Sequence, residues 1–269
     1  MEVKMPGDKR YLVDVMMKGL PFPIKAVSRA KSEGQETVAN ISIAARINRE
    51  FEAGWIDHFI KVLHQHRERI GTKYLKKNLD DYLNALNAAY VKIDYQYPFF
   101  IEKTTPVSKE KCLVRYLCTY SAKFSSALQE PKIIFCIEVP CISTYPQSEA
   151  GKPGGLFGQL SIVAIEMESN RDIFPEDIVA MVDKHALAPV YSYMSGEDQG
   201  YIINKAHSEI KTSVAMTDEI KDELAGNPDI DWFAIRCSNY GMLHSYSTVV
   251  STEKGIWTPV GEIDTAADE

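Results

Sequence analysis

His244 is the side chain in this sequence that is best suited to move protons. The unperturbed pKa of an imidazole lies near physiological pH, so a histidine can serve as a general acid or base, and His244 lies at the start of the last predicted strand. Tyr145 could donate a proton or orient a carbonyl group. Each residue has a second interpretation. His244 could be a structural hydrogen-bonding group, and Tyr145 could serve only to fill space in the packing. Cys141 and Cys237 could be nucleophiles, but their spacing supplies no base, which favours core packing.

The length, charge and apolar content limit the classes of function. The chain has 269 residues, a hydrophobic fraction of 45% and a net charge of -7. A negative charge argues against non-specific nucleic-acid binding and fits a small-molecule or protein partner. The N-terminus lacks the apolar segment of a signal peptide, and no apolar run approaches the ~20 residues of a membrane span. We therefore expect a cytoplasmic protein without nucleic-acid or membrane partners, and its five cysteines should be reduced thiols.

Two halves of the chain show the same order of predicted elements. Alternating apolar and polar residues predict strands, and apolar residues at helical spacing predict amphipathic helices. In the first half the predicted strands are residues 36–47, 91–97 and 113–121, and the predicted helices are residues 51–63 and 79–90. In the second half the predicted strands are residues 132–141, 158–167, 231–237 and 245–250, and the predicted helices are residues 175–194 and 216–224. Pro189 should kink or break the helix that contains it.

The second half has the order β-β-α-α-β-β, and the first half has the same order after its opening strand. We therefore predict an α+β protein of tandem β-β-α-α-β-β modules, residues 1–129 and residues 130–269, which together form one bimodular unit. Each module would be an antiparallel sheet with helices on one face. Because sheet edges must be paired or covered, we expect self-association into a homodimer or homotetramer. The small and acidic residues from 258 onwards predict a mobile tail.

Several separate blocks resemble one known family in their order and spacing. These blocks are residues 14–20, 97–108, 116–119 and 175–201. They are similar to segments of the type IB GTP cyclohydrolases. The resemblance implies a tunnelling fold, in which such modules assemble into a tetramer with pockets at the subunit junctions. It also implies hydrolysis of the imidazole ring of GTP and rearrangement to dihydroneopterin triphosphate, with a bound divalent metal that activates water.

The sequence departs from this family where the family keeps its metal ligands. In the alignment that the resemblance gives, the metal-binding cysteine and histidine are replaced by Tyr145 and Phe157, and a second cysteine is replaced by Gln147. One family glutamate is replaced by Gln199, and another by Asn239 or, with a gap, by Gly241. Phenyl rings cannot coordinate a metal, and neutral amides compete poorly with water for it. We therefore expect no metal and no other cofactor at this position.

Aromatic rings and amides in the vacated space would suit an organic ligand. The residues that we expect to contact substrate there are Phe157, Gln199, Asn239, Gln147 and Gln159.

A carboxylate at the start of the last helix anchors the guanine edge in the family. Asp218 is the best match to that residue in this sequence, and Glu219 follows it. A carboxylate can accept two hydrogen bonds from adjacent N–H groups of a heterocycle. The alternative is an ordinary acidic first helical turn.

Three hypotheses follow from the sequence. The first is a metal-independent enzyme that hydrolyses, opens or cyclises a purine-like, pterin-like or other nitrogen-heterocyclic metabolite, with His244 and Tyr145 as catalytic residues. The second is a non-catalytic purine- or pterin-binding or regulatory relative. The third is a GTP cyclohydrolase that makes dihydroneopterin triphosphate.

Overall fold

The computed structural model describes residues 12–48, 54–125 and 131–255 of the chain. Over these residues the chain forms nine strands and five helices. The strands are β1 Leu12–Ala26, β2 Gln35–Asn48, β3 Ala88–Thr104, β4 Lys111–Ser125, β5 Lys132–Thr144, β6 Gly158–Ser169, β7 Ala188–Pro189, β8 Ile230–Tyr240 and β9 Thr248–Glu253. The helices are α1 Trp55–His66, α2 Thr72–Leu86, α3 Pro175–His185, α4 Gly196–Ser208 and α5 Ser213–Ala225.

All strands belong to one antiparallel sheet in the order β1-β2-β3-β4-β5-β6-β8-β9, and β7 pairs with β5. The two halves of the chain meet where β4 pairs with β5, from Leu117 opposite Glu138 to Lys123 opposite Lys132. The prediction of an α+β fold with antiparallel strands is thereby confirmed. The element order β-β-α-α-β-β occurs twice, with α4 and β7 added in the second half. The proposed boundary at residue 129 and the tail after residue 258 lie outside the described residues, so the division into modules stays a prediction.

One face of the sheet carries the core. In β3 the side chains of Val91, Ile93, Tyr95, Tyr97 and Phe99 are buried, while the residues between them are more exposed. This alternation has the period of two that a strand imposes on its side chains. Helices α1 and α2 supply apolar residues to the same core cluster. These two helices therefore lie on the buried face of the sheet, as the sequence pattern predicts.

The predicted helix over residues 175–194 is wrong in its length. Helix α3 ends at His185, and Pro189 lies in β7, where it pairs with Cys141 of β5. Proline cannot donate an intrahelical hydrogen bond, so the chain leaves the helix and becomes extended before this residue. Helix α4 then begins with a capping box formed by Ser195 and Asp198. The predicted helix over residues 79–90 also shifts, because α2 ends at Leu86 and residue 88 already belongs to β3.

A buried ion pair joins the β3–β4 hairpin to α3. Lys103 Nζ lies 2.6 Å from a carboxylate oxygen of Asp183, and the two side chains are 9% and 19% exposed. The ammonium also lies 5.5 Å from the ring centroid of Tyr116 and 5.8 Å from that of Tyr191. Burial raises the pKa of Asp183, although the attraction of Lys103 opposes this shift. The hairpin is thus tied to the second half of the chain by two partly compensated charges.

Asp198 fixes the turn of the same hairpin. Its buried carboxylate accepts hydrogen bonds from the backbone N–H groups of Val107 and Ser108, at 2.8 and 3.0 Å, and from Ser108 Oγ at 2.6 Å. It also accepts hydrogen bonds from the backbone N–H and Oγ of Ser195, at 3.1 and 2.7 Å. Burial opposes ionisation of this group, but these hydrogen bonds, led by that from Ser108, hold the pKa of Asp198 below its usual range. One carboxylate therefore joins the hairpin turn to the start of α4.

Within the described part of the chain, no helix is both long and apolar enough to cross a membrane.

Candidate active site

Tyr145 and His244, the two predicted catalytic residues, are in direct contact. Tyr145 directly follows β5, and its backbone N–H donates to the carbonyl of Phe157 at 3.0 Å. His244 lies in the loop between β8 and β9. Tyr145 Oη lies 3.0 Å from His244 Nε2, within hydrogen-bond distance. One proton shared by a phenol and an imidazole can be held or passed on, which is the chemistry that general acid–base catalysis requires.

Aromatic rings extend this pair on both sides. The ring of Phe157 stacks on Tyr145, with centroids 4.8 Å apart and an interplanar angle of 17°. The ring of Tyr246 stacks on His244 at 4.7 Å and 16°. Tyr246 is 61% exposed, so this side of the pair faces solvent. Stacked rings with one exposed end offer a surface against which a planar heterocycle can pack.

Gly241 allows the β8–β9 loop to approach Tyr145 closely. A Cβ atom at this position would lie 2.9 Å from Tyr145 Cε2 and 3.6 Å from Gln159 Oε1. The first distance is shorter than ordinary van der Waals contact, so any larger residue would push the loop and the tyrosine apart. The glycine therefore helps to keep His244 within reach of the tyrosine hydroxyl.

A buried polar network lies on the strands beside the pair. Gln159 Nε2 donates to Ser143 Oγ at 3.3 Å, and Ser143 Oγ lies 2.7 Å from Ser161 Oγ. Ser161 Oγ donates to Asn239 Oδ1 at 2.8 Å, and Asn239 Nδ2 donates to the carbonyl of Thr248 at 3.4 Å. These contacts link the ends of β5, β6, β8 and β9. Gln159 and Asn239 are thus buried within the protein and bonded to neighbouring strands, and their binding of substrate stays a prediction.

The other two predicted amides lie on the surface. Gln147 is exposed in the loop that follows Tyr145. Gln199 is exposed in the first turn of α4, and its Nε2 donates to the carbonyl of Met194 at 3.3 Å. Neither amide has a side-chain hydrogen bond to Tyr145 or His244 in the described structure.

The two predicted anchoring carboxylates lie on α5 and have cationic partners. Asp218 is 64% exposed and pairs with Lys221. Glu219 accepts hydrogen bonds from Lys211 Nζ at 2.6 Å and lies 2.8 Å from His185 Nδ1. Hydrogen bonds from Lys211 and then His185 hold the pKa of Glu219 below its usual range.

Lys211 connects α5 to the site, because its backbone N–H donates to Thr144 Oγ1 at 2.7 Å and Thr144 adjoins Tyr145. Asp218 and Glu219 make no hydrogen bond or ion pair with Tyr145 or His244 in the described structure, and their role as anchors stays a prediction.

The buried cysteines are poor nucleophiles. Burial raises the pKa of Cys237 to about 11 and raises that of Cys141 further. Both groups are therefore protonated thiols near neutral pH, and a thiol is far less reactive than a thiolate. This agrees with the interpretation that they pack in the core.

The donor atoms around Tyr145 do not fit a divalent metal. The pair itself consists of a phenol and an imidazole, the neighbouring strands carry hydroxyls and neutral amides, and Phe157 supplies no donor. The phenol and imidazole are within hydrogen-bond distance of each other, and the buried amides have partners on neighbouring strands. Among the described residues, no group of three or more histidine, cysteine, aspartate or glutamate side chains could hold a metal ion. Structural and catalytic sites for such ions use those residue types.

Three contributors to the site are not predicted from the sequence. They are Tyr246, which stacks on His244, and the hydroxyl pair of Ser143 and Ser161. Tyr246 carried a local signal, since it lies two residues after His244. The serines carried none, because their contact depends on how β5 pairs with β6.

Solved structures with a similar fold include urate-oxidising enzymes. A uricase from Arthrobacter globiformis superposes with a TM-score of 0.52 and 10% identity, covering 96% of each chain. A uricase from Bacillus fastidious has a TM-score of 0.51 and 9% identity, covering 89% of this chain and 90% of that one. At this identity the likeness concerns the fold alone, which is the tunnelling fold.

Relatives with higher identity are cyclohydrolases by name. "GTP cyclohydrolase FolE2" of Geobacter sp. (strain M21) is 28% identical over 255 residues, which are 94% of each chain. The protein of the same name from Geotalea uraniireducens (strain Rf4) is 30% identical over 251 residues, which are 91% of each chain. The family described as "Type I GTP cyclohydrolase folE2" matches residues 4–250. The chain therefore belongs to the type I GTP cyclohydrolase FolE2 family.

Proposed function

We propose that this protein is a cyclohydrolase that acts on a purine nucleotide, with GTP as the first candidate. The match to the cyclohydrolase family over residues 4–250 supports this proposal over a different heterocycle. Of the three hypotheses drawn from the sequence, this is the third. The main structural support for the proposal is the contact between Tyr145 and His244 beside stacked aromatic rings. Those rings can hold a planar base, and the pair can move a proton.

The proposed reaction opens the five-membered ring of the purine with two waters. The oxygen of the first water bonds to C8, the C8–N9 bond breaks, and the two protons of this water end on N7 and on the leaving N9, which leaves a formamide. The second water hydrolyses the resulting formamide to formate and an amine. In each step His244 would hold the proton in transit, and Tyr145 would orient the imidazole. Opening and rearrangement of the sugar to a ketone, followed by condensation of that ketone with the amine and loss of one water, would then give the dihydropterin.

Turnover of GTP tests this proposal directly. Purified protein is incubated with GTP, and formate and the fluorescent pterin formed after oxidation are measured. We expect both products from the wild type. We expect His244→Ala to lower kcat by about 10²–10⁴, the usual contribution of a general acid or base. We expect Tyr145→Phe to lower kcat by about 5- to 30-fold, because one hydrogen bond of ~1–2 kcal/mol is lost.

Tyr193→Phe is the matched control for Tyr145→Phe. Tyr193 is 56% exposed, and its loss of a hydroxyl should leave turnover unchanged. If wild-type protein releases no formate from GTP with or without added Mn²⁺, the substrate assignment is wrong. If Tyr193→Phe and Tyr145→Phe lower kcat equally, the role of the Tyr145–His244 pair is wrong.

A second candidate is activity or binding without a metal at this position. The mismatch between the donor set around Tyr145 and a divalent ion supports it. We expect less than about one-tenth of a metal ion per chain after purification, and turnover that chelators do not reduce. Stoichiometric zinc, iron or manganese would overturn this candidate and leave the cyclohydrolase proposal intact. Calorimetric binding of GTP, purines or pterins without any product would instead support a non-catalytic relative.

We also propose that the chain self-associates into a homodimer or homotetramer. Among the described residues, the terminal strands β1 and β9 each have one edge without a partner strand, apart from a bridge between Ala26 and Ile70 at the end of β1. Open edges expose backbone donors and acceptors that another chain can satisfy. Sedimentation analysis should give a mass of two or four chains, and a monomer at micromolar concentration would contradict the proposal.

A further inference from the structure

A cavity of about 330 Å³ lies where the two halves of the chain meet on the helix side of the sheet. Arg29 and Lys73 line it from the first half, and the other lining residues come from the second half. Its volume falls in the range of small-molecule sites, about 300–1,000 Å³, and such sites favour junctions between structural units. Its apolar lining consists of Met167, Ile173, Phe174, Ile178 and Ile230.

The cavity is remote from Tyr145. It includes Met167 and Ser169 at the end of β6, whereas Phe157 adjoins the start of the same strand. Ten residues of extended chain separate Phe157 from Met167, which corresponds to about 33 Å at the rise of a β-strand. A ligand in this cavity therefore could not also contact the Tyr145–His244 pair.

Three cationic side chains line the cavity, and two of them already have anionic partners. Arg29 binds Asp177 through two of its nitrogens, and its guanidinium lies 4.5 Å from the ring centroid of Phe174. Arg171 pairs with Asp229 at 3.1 Å. Both guanidiniums remain largely exposed, at 60% and 67%. They can therefore add a further hydrogen bond to an incoming anion without losing their partners.

Lys73 is the cation whose side chain has no anionic partner among the described residues. No ion pair to its ammonium occurs within the described residues, and Lys73 is exposed. It lies in the first turn of α2, which contains no acidic residue, so its charge adds to the positive end of the helix dipole. Asp172 also lines the cavity, and its Oδ1 accepts the backbone N–H of Lys73 at 2.9 Å, so this carboxylate already pairs with the N-terminus of α2 but makes no ion pair with the ammonium of Lys73.

We propose that this cavity binds a small organic anion, with a phosphate or carboxylate at Lys73 and an apolar body against the floor. The unpaired ammonium of Lys73 and the exposed guanidiniums of Arg29 and Arg171 favour a negative charge at the mouth. The apolar floor favours a ligand with a hydrophobic body over a bare inorganic ion. The nucleotide site proposed above plays no part in this binding.

Calorimetric titration of the full chain tests the site with four probes. Phenyl phosphate and benzoate carry both parts of the ligand, inorganic phosphate carries the charge alone, and benzyl alcohol carries the apolar body alone. We expect one phenyl phosphate or benzoate per chain, bound at least about fivefold tighter than either partial probe. Whichever of phenyl phosphate and benzoate binds more tightly shows whether the site prefers a phosphate or a carboxylate.

Two substitutions locate the binding. Lys73→Glu should weaken it by about tenfold or more, and Lys73→Gln should weaken it several-fold without inverting the charge. Lys61→Glu is the matched control, because Lys61 is an exposed lysine on α1 outside the cavity lining. It should change the affinity by less than about twofold. Tyr145→Phe should leave the affinity unchanged. Melting temperatures of all variants show whether each one is folded.

Three results would overturn the proposal. One is the absence of saturable binding of phenyl phosphate and benzoate up to about 10 mM. Another is equal weakening by Lys61→Glu and Lys73→Glu, which would show a response to net charge only. The third is unchanged affinity in both folded Lys73 variants.

Discussion

Replacing either member of the buried Lys103–Asp183 ion pair should strongly destabilise the fold. The side chains are 9% and 19% exposed and their charged atoms lie 2.6 Å apart, so little water can replace a lost partner. Removing one member of a buried pair costs about 3–5 kcal/mol, since the remaining charge is left uncompensated. We therefore expect Lys103→Met and Asp183→Leu each to lower the melting temperature by about 6–20 °C, at ~2–4 °C per kcal/mol for a chain of this size.

The double variant should be more stable than either single variant. Burial is the largest influence on the pKa of Asp183 and raises it, so the attraction of Lys103 does not fully offset the loss of hydration. Replacing both charges with apolar side chains of similar size removes this cost and fills the same space. Such replacements are often neutral or stabilising. We expect the double variant to lie within about 2 kcal/mol of the wild type.

Urea denaturation of the four proteins at pH 7 measures the coupling between the two residues. A double-mutant cycle gives the interaction energy directly, and losses of about 3–5 kcal/mol for each single variant with at most about 2 kcal/mol for the double variant correspond to a coupling of about 4 kcal/mol or more. Lys111 provides the control, because it forms an ion pair with Glu102 in which the two side chains are 68% and 55% exposed. Lys111→Met should lower the free energy of unfolding by less than about 1 kcal/mol. Additive effects of Lys103→Met and Asp183→Leu would refute the reasoning, because they would show that the two charges do not interact.

Three further perturbations test other features. Gly241→Ala should destabilise the protein by about 1–3 kcal/mol by overpacking against Tyr145, as measured by urea denaturation, and an unchanged midpoint would contradict this close contact. Because the folded pKa of Asp198 is depressed, its contribution to stability is present above pH ~4, the unfolded value, and is lost as pH falls further. In Asp198→Asn, the free energy of unfolding should fall less steeply as the pH drops below ~4. An unchanged pH dependence of this free energy would contradict the role given to Asp198. Cys141 and Cys237 should react with thiol reagents only after unfolding, since burial raises both pKa values, and rapid labelling of the native protein would exclude this.

Periodicity predicted the architecture well because the sheet buries only one face. The period of two in β3, with Val91, Ile93 and Tyr95 all buried, is visible in the sequence before any partner strand is known. Helix ends were harder, since they depend on single residues. Residues 186–195 continue an apolar pattern past His185, yet Pro189 pairs in the sheet through its contact with β5. Local propensity could identify the break but could not show that a short strand would follow it.

The site was only partly predictable, because its contacts join residues that are far apart in the chain. The alignment that the family resemblance gives brought Tyr145 and Phe157 into the candidate pocket, and their stacked rings agree with it. The hydrogen-bond contact of Tyr145 with His244 spans 99 residues, and it depends on the pairing of β6 with β8 and on the close approach of Gly241. A shift of one residue in that pairing would turn every side chain of β8 to the other face of the sheet and disrupt the Ser161–Asn239 hydrogen bond. Residue types can therefore indicate which groups are able to do chemistry, but strand register decides which of them meet.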